Sequence, residues 1–142
     1  MPVRKASAAW EGGLRGGKGT MSTESGAVKG SYSFGSRFEA AGGSNPEELL
    51  AAAHAACFSM ALSAALERAG KAADRVATDA SCTIEKVGEG FKVTKMHLVT
   101  QVRAKGLDDA ELQRIAAGAK DGCPLSGALK GNVEITLQAT LV

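Results

Sequence analysis

Residues 44–70 read SNPEELLAAAHAACFSMALSAALERAG, and this stretch decides the fold. Asn45 suits a helix N-cap, Pro46 suits the first helical position, and Glu48 suits the third position of a capping box. Gly70 suits the residue that follows a helix end. The pattern predicts a helix that begins at Pro46 and ends just before Gly70, roughly 35 Å long at 1.5 Å per residue.

This helix is nearly apolar on every side between Leu49 and Leu66, so it needs to be covered on every side. Its length could almost span a bilayer. Most of it is alanine, serine, cysteine and histidine, however, whereas a lipid-facing helix is rich in large apolar residues. We therefore expect a buried helix. A chain of 142 residues has few other elements to cover it, which predicts a homodimer whose two chains share one core.

The residues before the helix read as β-structure. Glycine-rich stretches at residues 10–13 and 15–19 suit hairpin turns, Tyr32-Ser33-Phe34 alternates like a strand, and Arg37-Phe38-Glu39 ends this part before Gly42-Gly43. We expect β-structure over the first forty residues.

Two strands, two helices and a last strand are predicted after the long helix. Residues 76–87 and 91–103 form a hairpin, although Thr78 interrupts the apolar face of the first strand. Capping residues Asp108 and Glu111 open one helix, Cys123-Pro124 opens a short one, and residues 132–142 alternate as a final strand. Because hairpin connections dominate, we predict an α+β fold of antiparallel sheets packed around a long central helix, with residues 1–142 as a single domain.

Composition excludes several classes of function. The formal net charge is +2 with scattered Lys and Arg, which argues against nucleic-acid binding. No basic segment followed by an apolar segment opens the chain, so we expect a cytoplasmic protein rather than a secreted one. An odd count of three cysteines without a CxxC spacing argues against a disulfide framework and against a zinc site. No metal or organic cofactor is implied.

The three cysteines differ in their expected surroundings. Cys57 lies mid-helix among alanines, which is typical of a small core residue. Cys123 precedes Pro124 at a helix start, where backbone N–H groups and the helix dipole favour a thiolate. Cys82 lies on the apolar side of a strand and is read as core packing. From the residues alone, Cys123 ranks above Cys57 as the reactive thiol.

His54 lies one helical turn before Cys57 and could face the same side. A Cys–His ion pair is one interpretation of this spacing. A buried, hydrogen-bonded histidine without a redox role is the interpretation that chance spacing favours.

Three motifs together resemble the family of osmotically inducible protein C and organic hydroperoxide resistance proteins, OsmC/Ohr. They are Asn45-Pro46-Glu47-Glu48-Leu49, Ala53-His54-Ala55-Ala56-Cys57-Phe58-Ser59-Met60 and Gly122-Cys123-Pro124-Leu125-Ser126. The N-terminal motifs are similar to those of the OsmC branch: Trp10-Glu11-Gly12, Gly17-Lys18-Gly19-Thr20, Ser22-Thr23-Glu24-Ser25-Gly26 and Arg37-Phe38-Glu39. The resemblance extends over essentially the whole chain.

The resemblance implies a thiol-dependent peroxidase for organic hydroperoxides, built as an intertwined homodimer with active sites at the subunit interface. It assigns Cys57 as the peroxidatic cysteine and Cys123 as the resolving one. It places Arg37 beside the reactive thiol and Glu47 as the partner of that arginine; a guanidinium can stabilise a mid-helix thiolate that gains little from the helix dipole. The expected reductant is an external dithiol, which is of lipoyl type in some relatives.

Helix geometry adds an expectation about Glu47. Ten residues of straight helix separate it from Cys57 by about 15 Å along the axis, so we expect Glu47 to serve the Cys57 of the partner subunit. Two other functions would fit the same cysteines: a non-catalytic protein that binds an apolar ligand, and a thiol-based redox sensor.

Overall fold

The computed structural model describes residues Met1–Val142 and divides them into two compact units, Met1–Leu49 and Leu50–Val142. The prediction that residues 1–142 form one domain stays a prediction. Both units combine helix with sheet, which confirms the predicted α+β class.

The first unit contains a three-stranded antiparallel meander of β1 (Ala6–Glu11), β2 (Lys18–Thr23) and β3 (Lys29–Tyr32). The first hairpin, between β1 and β2, includes both glycine-rich stretches that predicted turns. Gly19 of β2 lies beneath two aromatic rings: a Cβ there would come within 2.4 Å of the Tyr32 ring and 2.9 Å of the Trp10 ring. Glycine is therefore the residue that allows Trp10 and Tyr32 to lean together across the sheet.

A short helix, α1 (Phe34–Phe38), follows β3, so the prediction of strand structure up to Glu39 was wrong. The reason is a capping box made by two serines. The Ser33 hydroxyl accepts from the Ser36 N–H at 3.0 Å, and the Ser36 hydroxyl accepts from the Ser33 N–H at 2.8 Å. This exchange satisfies the first donors of a helix, and it outweighs the alternating pattern of Tyr32-Ser33-Phe34.

The long helix, α2, runs from Pro46 to Arg68 and confirms the predicted element. The Asn45 side-chain oxygen accepts from the Glu48 N–H at 2.8 Å, as an N-cap should. Glu48 does not complete the expected capping box, because its carboxylate accepts from the Ser44 hydroxyl at 2.5 Å instead.

The end of α2 is a Schellman motif. The Gly70 N–H donates to the Glu67 carbonyl at 3.0 Å, and the Lys71 N–H donates to the Leu66 carbonyl at 2.9 Å. Gly70 adopts φ +72°, the left-handed conformation that this motif requires and that glycine adopts without strain. The helix end predicted from Gly70 is confirmed.

The second unit contains a mixed sheet of three strands. β4 (Ala73–Val87) and β5 (Gly90–Ala104) form the predicted antiparallel hairpin, but β6 (Glu134–Leu141) lies parallel to β5. The expectation of purely antiparallel sheets was wrong for this pair. The two helices between β5 and β6, α3 (Asp109–Gly122) and α4 (Pro124–Leu129), form the crossover that a parallel connection needs.

The hydrophobic core lies in the second unit between the sheet, α2 and α3. Phe58, Leu62 and Leu66 of α2 are fully buried against residues of β5 and α3: Leu98, Val102, Leu112, Ile115, Ala116 and Ala119. The Asp108–Glu111 capping box predicted for α3 is present in both directions. These contacts fix the α2 segment that carries Cys57 relative to the chain around Cys123.

The sequence suggested that Thr78 interrupts the apolar inner face of β4. In the structure its hydroxyl is hydrogen-bonded on both sides. Its hydroxyl accepts from Ser59 of α2 at 2.7 Å and donates to Thr100 of β5 at 2.9 Å. Thr100 in turn donates to the Ala77 carbonyl at 3.2 Å. The polar position is thus satisfied within a chain of hydroxyl groups, and it ties α2 to the sheet.

One side of α2 is left uncovered by the chain. By length and composition the helix could cross a membrane, and only 28% of an apolar 18-residue stretch of it is buried. Ala52, Ala53, Ala56 and Met60 are exposed, Met60 by 74% of its surface. The sequence predicted that α2 is buried on every side, whereas within this chain it is buried on the side that faces the core.

We predict that Gly19→Ala lowers the free energy of unfolding by about 1–3 kcal/mol, because the added methyl group overpacks the Trp10–Tyr32 contact. The matched control is Gly13→Ala, where an added Cβ would meet nothing within 4 Å. Denaturant titration of the two variants measures the difference. Equal midpoints for both would contradict the packing role of Gly19.

Candidate active site

The Cys57 and Cys123 sulfurs lie 3.2 Å apart, and both thiols are reduced. Cys57 is half-buried on α2, and Cys123 is 1% exposed between α3 and α4. This is hydrogen-bonding distance for sulfur, and a disulfide of about 2.05 Å would need the two atoms to approach by roughly 1 Å. The structure thus places the two cysteines as a pair across 66 residues of sequence.

Pro124 determines where Cys123 lies. The residue before a proline is driven out of the helical region, so Cys123 ends α3 with an extended backbone, φ −66° and ψ 126°, while Pro124 starts α4. No regular side-chain capping bond forms at Cys123. The N–H groups of Leu125 and Ser126 nevertheless lie close enough to the sulfur to favour its thiolate.

The surroundings of the two thiols move their pKa values in opposite directions. Burial is the largest influence on Cys57 and raises its pKa; the Leu125 backbone opposes this, and Cys123 adds to it. Burial also acts to raise the pKa of Cys123, but hydrogen bonds from Ser126, Cys57 and Leu125 outweigh it and lower the pKa. Within Leu50–Val142 the surroundings therefore favour the thiolate of Cys123 over that of Cys57. This agrees with the ranking made from the residues alone.

Arg37 and Glu47 form an ion pair in the first unit. The Arg37 Nε and Nη2 atoms contact the same Glu47 oxygen, Oε1, at 2.9 and 2.7 Å. Glu47 is buried, and its other oxygen, Oε2, has no hydrogen-bond partner. Glu47 holds one edge of the guanidinium. The Arg37 side chain keeps 38% of its surface exposed to solvent.

Polar contacts between α1 and the start of α2 hold this ion pair in place. The Ser36 hydroxyl donates to the Ser44 carbonyl at 2.7 Å, and the Asn45 side chain donates to the Ser36 carbonyl at 3.1 Å. Arg37 is the neighbour of Ser36, and Glu47 lies in the first turn of α2. The serine capping box that sequence reasoning missed is thus what positions Arg37.

His54 is fully buried, and its Nε2 atom lies 2.8 Å from the Ser126 hydroxyl. Its Nδ1 atom has no hydrogen-bond partner. Burial lowers the pKa of His54, so the ring is neutral at neutral pH. The prediction of a buried, hydrogen-bonded histidine is confirmed, whereas the partner is Ser126 rather than the Cys57 thiol of the alternative ion pair.

Ser126 is the residue of this site that sequence reasoning did not single out. It occupies the third position of α4, three residues after Cys123, and it is 5% exposed. That spacing is the signal that could have identified it, because the third residue of a helix faces back toward the N-cap. Ser126 hydrogen bonds to His54 and acts to lower the pKa of Cys123.

Cys82 lies on a strand, unlike Cys57 on α2 and Cys123 at the end of α3. It is half-buried on β4 opposite Met96. No group of three or more histidine, cysteine or acidic side chains is placed to hold a metal ion.

Comparisons with known proteins identify the family. The family model described as OsmC-like protein matches residues 39–138. The peroxiredoxin OsmC of Escherichia coli K12 is 46% identical over 136 residues, 95% of either chain, and an organic hydroperoxide resistance protein of Xanthomonas axonopodis pv. citri is 38% identical over 67% of this chain and 66% of its own. A crystal structure of an organic hydroperoxide resistance protein OsmC from Legionella pneumophila superposes with a TM-score of 0.73 at 26% identity, covering 100% of both chains.

The protein belongs to the OsmC-like family. This confirms the resemblance drawn from the sequence motifs. It also confirms the expected fold class, since the similar structures are those of OsmC and Ohr proteins. The roles of individual residues stay predictions.

We predict that one equivalent of diamide closes a Cys57–Cys123 disulfide within one chain, because the two sulfurs already lie 3.2 Å apart. Peptide mapping by mass spectrometry under non-reducing conditions would find the cross-linked pair with the loss of two hydrogens. Cys82→Ala is the matched control and should give the same product. A disulfide that involves Cys82, or one between chains, would contradict the geometry.

Proposed function

We propose that this protein is a thiol-dependent peroxidase that reduces organic hydroperoxides to alcohols. The observation that carries the proposal is the Cys57–Cys123 pair, with one thiol half-buried, the other buried, and their sulfurs 3.2 Å apart. The printed names of its relatives support it: one is a peroxiredoxin and others are organic hydroperoxide resistance proteins. Detoxification of peroxides through cysteine chemistry is the role that these names share.

The proposed reaction has two steps in the protein. The Cys57 thiolate attacks one peroxide oxygen, the O–O bond breaks, and the leaving alkoxide takes a proton to become the alcohol, which leaves Cys57 as a sulfenic acid. The Cys123 thiolate then attacks the Cys57 sulfur. A disulfide forms, the S–O bond breaks, and the departing hydroxide takes a proton to become water. An external dithiol reduces the disulfide by exchange and is itself oxidised.

The first step needs a cation near Cys57. The thiolate is the nucleophile, yet the groups of Leu50–Val142 that shift the pKa of Cys57 include no cation, and together they raise it. We assign this role to Arg37, which stays protonated at all relevant pH values. The buried Glu47 carboxylate orients the guanidinium through its 2.7 and 2.9 Å contacts.

We propose that the ion pair and the thiol come from different subunits of a homodimer. The sequence-based separation of Glu47 from Cys57 in one helix, about 15 Å, supports this arrangement. So does the uncovered side of α2, with Ala52, Ala56 and Met60 exposed. Small side chains on that side would let two copies of α2 approach closely, and a second copy is the simplest cover for an apolar surface of this kind.

The proposed setting is the cytoplasm, where thiols are kept reduced and a cysteine pair can cycle. The reductant is a small or protein-bound dithiol, with a lipoyl-type dithiol as the first candidate. No metal or organic cofactor takes part in the proposed steps, because sulfur supplies both the nucleophile and the resolving group.

We predict thiol-dependent consumption of cumene hydroperoxide in the presence of dihydrolipoamide, with Cys57→Ser reducing turnover to the background of reductant alone. Cys123→Ser should retain a single stoichiometric reaction and accumulate the Cys57 sulfenic acid, which dimedone traps for mass spectrometry. Cys82→Ala is the matched control and should keep wild-type turnover. Absence of turnover in the wild-type protein would instead favour a redox sensor or a binding protein.

A heterodimer experiment tests whether the site is shared. One chain carries Arg37→Ala and the other carries Cys57→Ser, and two different affinity tags isolate the mixed dimer. If Arg37 serves the Cys57 of the partner, one of the two sites is intact and the mixed dimer retains about half of the wild-type activity. If Arg37 serves its own chain, both sites lack an essential group.

The reciprocal heterodimer provides the control. Here one chain carries both Arg37→Ala and Cys57→Ser, and the other is wild type. A shared site predicts an inactive dimer, because the wild-type Cys57 faces the altered Arg37 position. Half of the wild-type activity in this dimer would overturn the shared site.

A further inference from the structure

His54 is a buried polar residue for which the proposed reaction has no use. It is 0% exposed within α2, and its Nε2 atom has Ser126 as its hydrogen-bond partner while Nδ1 has none. It satisfies no backbone group, so the fold does not need its polarity. Burying a half-satisfied imidazole costs stability that an apolar ring of similar size would not cost.

The partner of His54 leads to the second cysteine of the pair. Ser126 is buried at the third position of α4, three residues after Cys123, and the third residue of a helix faces back toward its N-cap. Its backbone and its side chain both act to lower the pKa of the Cys123 thiol. Cys123 in turn lies 3.2 Å from the Cys57 sulfur. His54 and Cys57 are three residues apart on α2, so this one helix contacts the start of α4 through two neighbouring side chains.

The direction of the hydrogen bonds follows from the unpartnered Nδ1 atom. If Nδ1 carried the ring proton, a buried N–H would lack an acceptor, and orphaned buried N–H groups are rare. The proton therefore belongs on Nε2, which donates to the Ser126 oxygen. The Ser126 hydroxyl is then free to donate its own proton to another acceptor.

We propose that His54 is a positioning residue for Cys123: its Nε2–H bonds the Ser126 oxygen and so turns the Ser126 hydroxyl proton toward the Cys123 sulfur. In the opposite tautomer the Ser126 hydroxyl would donate to His54 and could only accept from a protonated Cys123. The histidine thus selects the thiolate form of the resolving cysteine. The usefulness of this selection rests on the proposed function, in which Cys123 attacks an oxidised Cys57.

Other titratable groups around Cys123 do not account for the effect. Lys120 and Asp121, in the last turn of α3, lie 4.0 Å from each other, and neither contributes to the pKa of Cys123. Helix α4 contains no titratable side chain, and neither do the inner faces of β5 and β6. On α2 the facing groups are Cys57 and His54. Cys82 of β4 does not act on the Cys123 thiol either.

The test is a titration of the Cys123 thiol in a Cys57→Ser, Cys82→Ala background, where Cys123 is the one cysteine left. Thiolate absorbance near 240 nm and the pH dependence of monobromobimane alkylation both report its apparent pKa. We expect Ser126→Ala and His54→Phe each to raise that pKa by about one unit. His54→Gln, which can still donate an N–H to Ser126, should restore part of the shift.

A double-mutant cycle separates positioning from general damage to the fold. In the Ser126→Ala background His54→Phe should cause no further rise, because His54 acts through the Ser126 hydroxyl. An unchanged pKa in Ser126→Ala, a fall of the pKa in His54→Phe, or additive effects of the two changes would overturn the proposal. Ser126→Ala alone decides the matter if His54→Phe does not fold.

This titration needs no peroxide, so its failure is distinct from failure of the proposed function. A protein without peroxidase turnover can still show the His54 and Ser126 effects on the Cys123 thiol. Conversely, an active peroxidase in which neither change moves the Cys123 pKa keeps the proposed function and loses the role of His54.

Discussion

The contact between the Cys57 and Cys123 sulfurs is the interaction on which the rest of the site depends. At 3.2 Å each sulfur lies within hydrogen-bonding distance of the other, so the ionisation of one thiol affects the pKa of the other. The surroundings of the two thiols within Leu50–Val142 raise the pKa of Cys57 and lower the pKa of Cys123. A charge supplied from outside this unit can reverse the order. The pair is therefore sensitive to where Arg37 is held.

This sensitivity suits a reaction that uses the two thiols in turn. Arg37 would stabilise the Cys57 thiolate for attack on the peroxide. In the proposed reaction Cys57 would carry no charge once it is a sulfenic acid, and the influence of Ser126 and Leu125 on the pKa of Cys123 would favour the thiolate that resolves it. His54, buried and neutral, holds the Ser126 hydroxyl in the orientation that this second step needs. The negative charge would thus be used first on Cys57 and then on Cys123.

The sequence predicted those parts of the fold that local chemistry controls. The caps at Asn45 and Asp108 and the left-handed Gly70 determine where helices begin and end, because each uses a side chain or conformation a few residues away. The serine capping box at Ser33 is equally local, but the alternating pattern of Tyr32-Ser33-Phe34 predicted a strand there instead. The parallel pairing of β6 was not predictable in this way, since it depends on how the crossover through α3 and α4 packs on the sheet.

The candidate site shows the same difference between features that local sequence predicts and features that depend on long-range packing. The place of Cys123 before Pro124 predicted a reactive thiol. Cys57 looked like core packing, and only its family motif gave it a role. The role of Ser126 as the hydrogen-bond partner of His54 depends on a contact between residues 72 positions apart in the sequence. Packing of α2 against α4 creates that contact. Likewise, the uncovered side of α2 becomes visible only when the whole chain is folded around the other side.

The protonation order of the two thiols tests the central claim most directly. Cysteine ¹³Cβ chemical shifts followed against pH report each thiol separately in the reduced protein. The account predicts that Cys57 ionises at the lower pH in the wild-type protein and that Cys123 ionises first in Arg37→Met. The same order in both proteins, whichever thiol comes first, would contradict the claim that Arg37 makes Cys57 the more acidic thiol.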